Sequence, residues 1–356
     1  MNRRLNYIDI ARAFAIIIVV LSHALSAAIH NFELYKILFS INVPLFFILS
    51  GFTFSVKNEE TFWQFLKRKF IRIMIPYFIW ALLFLIPYFM FGQNVSTDLS
   101  QNPSFDFGQI LGNTFYGNGF ASAIKQNSPL WFLPALFTTE ILYYFIVKLC
   151  KTRRCQLVAL PIIIVVGFLF SLLPKNIQLP WGINSALQIG GFFYCGFLIK
   201  SQNLLEKHSK TFNIISTLVA LTLGTVAFCF NINDQVVWFS YMYGYYFLSM
   251  VSGIAFSYVI IKLSQLINKN RLLEYVGRNT MGILIFHKII IVVLQTKLGG
   301  FSSQLTDSSI CTELILALVS VVIAIAVSLG ISYIVRKIAP WSLGEKRVSS
   351  SSSKNS

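Results

Sequence analysis

Apolar residues recur along the chain in ten runs, over residues 8–29, 35–56, 71–92, 129–149, 156–173, 183–200, 211–231, 236–261, 279–297 and 311–336. Each is close to the ~20 residues that an α-helix needs to cross the hydrocarbon of a bilayer. The pattern predicts an all-α polytopic membrane protein of about ten transmembrane helices. Most connections are short. The exception runs from Gln93 to Pro129, is too polar to span, and carries Phe105, Phe107, Phe115, Tyr116 and Phe120. It reads either as a functional long loop or as a loop lying on the membrane with its aromatics in the interface. The last residues, 346–356, are rich in serine and read as a disordered tail. Neither an appended soluble domain nor the repeated halves of many transporters is visible.

Composition agrees with the apolar pattern. Only 12% of the residues are charged, about half the ~25% of soluble domains, and 56% are hydrophobic. The net charge of +16 would suit nucleic acid if it lay on one face, but the basic residues cluster in alternate loops. With the N-terminus inside, all of the Lys and Arg residues except Lys36, Lys125, Lys175, Lys288 and Lys297 fall on the cytoplasmic side or at its edge. That distribution satisfies the positive-inside rule and predicts both termini cytoplasmic. The partner it implies is a lipid bilayer, with no nucleic acid. Five scattered cysteines form no CxxC pair or obvious disulfide framework. Arg3 and Arg4 before an apolar run imitate a signal peptide. Asp9 and Arg12 inside that run predict that it is kept as the first helix.

Those two residues share DIARAFAIIIVVLSH with His23. At about 100° per residue, three steps from Asp9 to Arg12 and eleven from Arg12 to His23 place all three on one stripe. At 1.5 Å per residue, Arg12 and His23 are roughly 16 Å apart along the axis, so His23 lies well inside the membrane. Intramembrane ionisable groups face a bundle interior or a wet cavity and are functional candidates. A bland reading remains for each: Asp9 and Arg12 as a pair marking the membrane edge, His23 as a neutral bridge between helices.

Several segments together resemble one family. DIARAFAIIIVVLSH has the basic residue, ten-residue gap and histidine of the first helix of the acyltransferase-3 family of integral membrane acyltransferases. FFILSGFTFS (46–55) resembles that family's Ser-Gly-Phe segment, and KRKFIRIMIPYFIW (67–80) its basic entry to the third helix. LWFLPALF (130–137) resembles the branch of fucose 4-O-acetylase-like proteins, and LEYVGRNTMGILIFH (273–287) a late helix ending in histidine. One departure is Lys69-x-x-Arg72 where the family often has two arginines, which keeps the charge but loses a bidentate fork. Many relatives carry a hydrolase-like domain after the helices; its absence implies that the membrane unit, residues 1–345, completes the transfer itself.

The resemblance implies an O-acyltransferase of the cell membrane. It would move an acetyl group from cytoplasmic acetyl-CoA, a substrate rather than a resident cofactor, to a sugar hydroxyl. The acceptor would be a cell-surface polysaccharide or a lipid-linked oligosaccharide. The donor-binding set is then Asp9, Arg12, Ser50, Lys69 and Arg72, since coenzyme A is polyanionic and charge-assisted contacts are the strong ones. The catalytic set is His23 with Glu140 and His287. His23 would act as general base or as a nucleophile carrying the acyl group. Glu140 reads as an orienter of an imidazole or as a protonated group bonded to a neighbouring helix. His287 reads as an active-site residue or as a helix bridge, and Trp131 as part of an aromatic belt. No HExxH or comparable metal cluster is present. The alternative is a transporter or flippase for a lipid-linked sugar, its pathway lined by the buried charges.

Overall fold

The computed structural model describes residues 5–28, 33–57, 59–90, 107–117, 127–174, 177–205, 209–231, 238, 244–302 and 310–345. The first two apolar runs fold as α1 (Asn6–Ala28) and α2 (Glu33–Thr53). The third is not one helix. Thr61 opens α3 (Phe62–Lys69) with a reciprocal capping box to Gln64, and the chain then passes through a π-helical turn over Phe70–Met74. It continues as α4 (Ile75–Leu83) and, after a break at Phe84, α5 (Leu85–Met90). A π turn widens the backbone ring and re-aims the side chains on it; here it carries Arg72.

The long connection contains a short helix, α6 (Phe107–Tyr116). It is tied to the bundle by the Tyr77 hydroxyl donating to the Thr114 carbonyl (2.6 Å) and by Trp181 Nε1 donating to the Phe115 carbonyl (3.0 Å). Its neighbours at 91–106 and 118–126 lie outside the described residues, as does the tail from 346. A 3-10 turn (Ser128–Trp131) leads into α7 (Phe132–Leu149), followed by α8 (Arg153–Ser171), α9 (Ile183–Ser201) and α10 (Lys210–Cys229). Helix α11 (Tyr246–Ile267) starts about ten residues later than the apolar run suggests. Then come α12 (Arg271–Arg278), α13 (Thr280–Ser302) and α14 (Ile310–Ile338).

Among the described residues there is no strand. Among the same residues, eight helical segments are long and apolar enough to cross a membrane, or nine if α12 and α13, bent by 81°, form one broken span. The shortfall from ten is largely in the third run, which the π turn and the break at Phe84 divide into pieces too short to qualify singly.

Burial sorts the helices. Helix α1 sits at the centre, against α2, α11, α12, α13 and α14. The segment containing α9 has 78% of its span buried within the protein, whereas α8 and α10 have 6% and 11% and turn apolar side chains such as Ile162, Leu218 and Val219 outward. An outward apolar face on a spanning helix is what lipid solvates. The inner helices approach closely at small residues. A Cβ on Gly51 of α2 would collide with the Phe193 carbonyl of α9, and one on Gly196 of α9 with the Ile48 carbonyl of α2. Helices in lipid associate largely through such close packing.

Outside the spans, Arg68 chelates Glu60 with Nε and Nη2, both at 2.7 Å. Those hydrogen bonds hold the Glu60 carboxyl below the usual carboxylate range, locking the turn between α2 and α3.

The short helix α12 is seated on α1 by the same kind of close approach. Asn270 caps it, its side chain accepting from Leu273 N (3.0 Å), and a Cβ on Gly277 would run into the Asp9 carbonyl. Gly277→Ala should therefore push α12 off α1. Overpacking of this kind costs about 1–3 kcal/mol, and the expected result is a lower midpoint in a thermal melt of the purified protein. An unchanged midpoint would mean that this contact yields easily.

Candidate active site

The stripe on α1 faces the bundle interior. Asp9 is 2% exposed and accepts from Arg278 Nε at 3.1 Å, while Arg12 Nη1 lies 3.8 Å from its other oxygen. Arg278 also reaches back one turn of α12 to Glu274 at 2.8 Å. Arg12 Nη2 donates to Thr53 Oγ1 on α2 at 2.9 Å. The two guanidiniums are thus positioned by fixed partners, yet keep 30% and 44% of their side-chain surface open. Arg278 is a further site residue, counted in the sequence only among the cytoplasmic cations; the signal for it was its place in the family-like segment 273–287.

Arg12 and Arg278 line a cavity of about 470 Å³ together with Ser50, Thr53, Lys69, Arg72 and Glu140. All of the proposed donor-binding residues except Asp9 meet there, and Asp9 sits behind the two arginines. Four cations face this space against two carboxylates, Glu140 and Glu345. Glu345 is engaged by Arg336 at 2.8 Å. One wall is the C-terminal turn (Pro340–Leu343), whose Ser342 carbonyl accepts from Trp80 Nε1 at 2.8 Å.

Glu140 is not beside an imidazole. Its Oε1 accepts from Lys69 Nζ at 2.6 Å, and both side chains are 8% exposed. The Lys69 ammonium also lies 5.5 Å from the rings of Phe54 and Phe65. The sequence placed Lys69 at the membrane edge; its burial at the end of α3 is what brings it to a carboxylate 71 residues away. A buried pair of this kind is costly to break from one side, so Glu140 is the counter-ion that holds Lys69 in the wall.

His23 lines a different and much smaller cavity, of about 40 Å³. His287 of α13 comes beside it, with ring centroids 5.4 Å apart. His287 is fully buried, and its Nδ1 is 2.7 Å from the Ile283 carbonyl. A carbonyl only accepts, so Nδ1 carries the proton and Nε2 is left as an acceptor. Nε2 has no hydrogen-bond partner among the described residues. Asn42 lines the same cavity and donates from Nδ2 to Ser22 Oγ at 3.2 Å. Lys288, counted with the outer half, is 9% exposed within α13. Trp131 is 6% exposed and forms part of the cavity wall, so it is not a belt residue facing the interface.

Three apolar side chains line both cavities: Phe46 of α2, Phe132 of α7 and Leu284 of α13. The cationic space and the histidine chamber are therefore neighbours, divided by a septum one side chain thick. On α1 the same division separates Arg12 from His23. The arrangement sets a cationic space and His23 on opposite sides of the same three apolar side chains.

No curated protein and no solved structure matches the chain. The family model for the acyltransferase-3 group, described as an acyltransferase domain, matches residues 5–337. That match covers nearly the whole chain and takes in α1, the small cavity, the septum and all of the larger cavity's lining except Leu343, Gly344 and Glu345. The chain belongs to the acyltransferase-3 family, a membrane acyltransferase by that membership.

Proposed function

We propose that the protein is an O-acetyltransferase of the cell membrane, taking acetyl from cytoplasmic acetyl-CoA and delivering it to a sugar hydroxyl of an envelope polysaccharide or its lipid-linked precursor. The observation that carries this reading is the pair of cavities, one lined by four cations and the other by His23 with His287 next to it, which share Phe46, Phe132 and Leu284 as lining. Arg12, Lys69, Arg72 and Arg278 suit the phosphates of coenzyme A, because guanidinium–phosphate contacts are strong and directional. The pantetheine arm, thin and mostly uncharged, suits passage through an apolar septum.

At the far side, His23 removes the proton of the sugar hydroxyl as its oxygen attacks the thioester carbonyl; the C–S bond breaks, and the departing thiolate takes up the proton. The alternative order, with His23 carrying the acyl group first, uses the same residues. His287 is a positioning residue in either order. Its ring stands beside that of His23 with the Nδ1 proton committed to the Ile283 carbonyl.

Purified protein in nanodiscs should release CoA from acetyl-CoA and place labelled acetyl on a glycolipid extract of the host envelope. Acetyl-CoA left intact under conditions where the protein is folded would reject the reading. NMR of surface glycans from cells with and without the protein identifies the sugar position.

A further inference from the structure

Asparagine is an expensive residue for the middle of a spanning helix. It favours caps and turns over helix interiors, and a polar side chain within the membrane calls for a functional reason. Asn42 of α2 is 3% exposed and lines the small cavity with His23. Phe39, on the same face of α2 one turn earlier, packs edge-on to the His23 ring at 5.9 Å. The Asn42 amide is oriented by its neighbours. Val43 N, which only donates, meets Oδ1 at 2.6 Å, so the carbonyl end faces the helix backbone. Nδ2 is the other end and donates to Ser22 Oγ at 3.2 Å, on the residue of α1 next to His23. Nδ2 carries two hydrogens, and the second has no acceptor among the described residues. Apart from His23, Asn42 and the indoles of Trp131 and Trp238, every side chain lining this cavity is apolar.

We propose that Asn42 is a catalytic residue, its second amide hydrogen holding the oxyanion that forms on the thioester carbonyl during acyl transfer. The proposal rests on the acyltransferase reading of the same site and adds what that reading lacks, a partner for the charge. Attack at the carbonyl carbon moves the π electron pair onto oxygen. In apolar surroundings an unsolvated anion is costly, and placed donors at that oxygen are usually the largest single source of rate enhancement. The pair then returns to re-form the carbonyl, the C–S bond breaks, and the thiolate takes up the proton held by His23. The amide itself is unchanged. If His23 is acylated first, an oxyanion forms twice at the same carbon, and the one donor serves both steps. Val43 and Ser22 pin the two ends of the amide, so the donor is set before the charge appears.

The test is CoA release from acetyl-CoA by purified protein in nanodiscs, with a host envelope glycolipid extract as acceptor. Asn42→Ala should lower kcat by about 10²–10³-fold. The apparent KM for acetyl-CoA should stay within about twofold, because the lost interaction exists only in the transition state. Ser22→Ala separates this role from a bridge between α1 and α2. It removes the same hydrogen bond but leaves the amide, so its kcat should fall by less than about tenfold. Equal losses in the two variants would make Asn42 a helix bridge and overturn the proposal, and so would a near-normal kcat in Asn42→Ala. A further measurement needs no variant. The dithioester analogue of acetyl-CoA places sulfur, a weak acceptor, where the oxyanion forms. Wild-type protein should turn it over at least about tenfold more slowly than acetyl-CoA, and an equal rate would overturn the proposal even if both variants misfold. Folded wild-type protein that leaves acetyl-CoA intact is a different result, since it would reject acyl transfer itself.

Discussion

His23→Asn should abolish acyl transfer while leaving a folded protein that still binds coenzyme A. His23 is the ionisable group of α1 that lines the small chamber, and its neighbour His287 has its Nδ1 committed to a backbone carbonyl. General acid–base catalysis by a placed imidazole contributes about 10²–10⁴-fold, and a nucleophilic role would make the loss larger. Asparagine keeps a polar group capable of hydrogen bonding, so the buried neighbourhood is not left with an unsatisfied void. The cations of the larger cavity are untouched, since they stand on the other side of Phe46, Phe132 and Leu284. The measurements are transfer and coenzyme A affinity on the same preparation. Normal acetylation by correctly inserted His23→Asn would remove the residue from the chemistry.

Arg12→Ala should show the opposite split, with affinity for acetyl-CoA reduced about tenfold to a hundredfold. The estimate follows from the ~1.5–3 kcal/mol typical of a hydrogen bond to a charged group. Arg12→Lys should recover part of that loss, because it restores a charge without the planar fork. The effect should appear mainly in the apparent KM. Arg12 is held by Thr53 and approaches Asp9, which Arg278 grips more closely, so the substitution removes one of four cations while Arg278 keeps Asp9 satisfied. Unchanged donor binding in Arg12→Ala would make Arg12 a structural partner of Asp9 instead.

The stripe of Asp9, Arg12 and His23 was legible because helical periodicity alone puts three charged or titratable groups on one face of an apolar run. The close approach at Gly51 follows from the same kind of local logic, since a small residue in a spanning helix lets a neighbouring backbone come near. The septum was not. Phe46, Phe132 and Leu284 come from three helices far apart in the chain, and nothing in a run of apolar residues says which three will meet. Lys69 and Glu140 were each visible, but their pairing depends on how α3 enters the bundle. Charge counting did not reveal that Arg278 joins Arg12 at one cavity or that Lys288 is buried, since the positive-inside rule assigns sides and not contacts. The third span was misread as a single helix because hydropathy is blind to the shift of hydrogen-bond register at Phe70–Met74.

The most direct test is a structure of His23→Asn in nanodiscs with acetyl-CoA. The account predicts the coenzyme's phosphates among Arg12, Lys69, Arg72 and Arg278, the pantetheine arm passing between Phe46, Phe132 and Leu284, and the thioester in the chamber beside His287. Coenzyme A bound outside the cationic cavity, or with its thioester turned away from the septum, would contradict it.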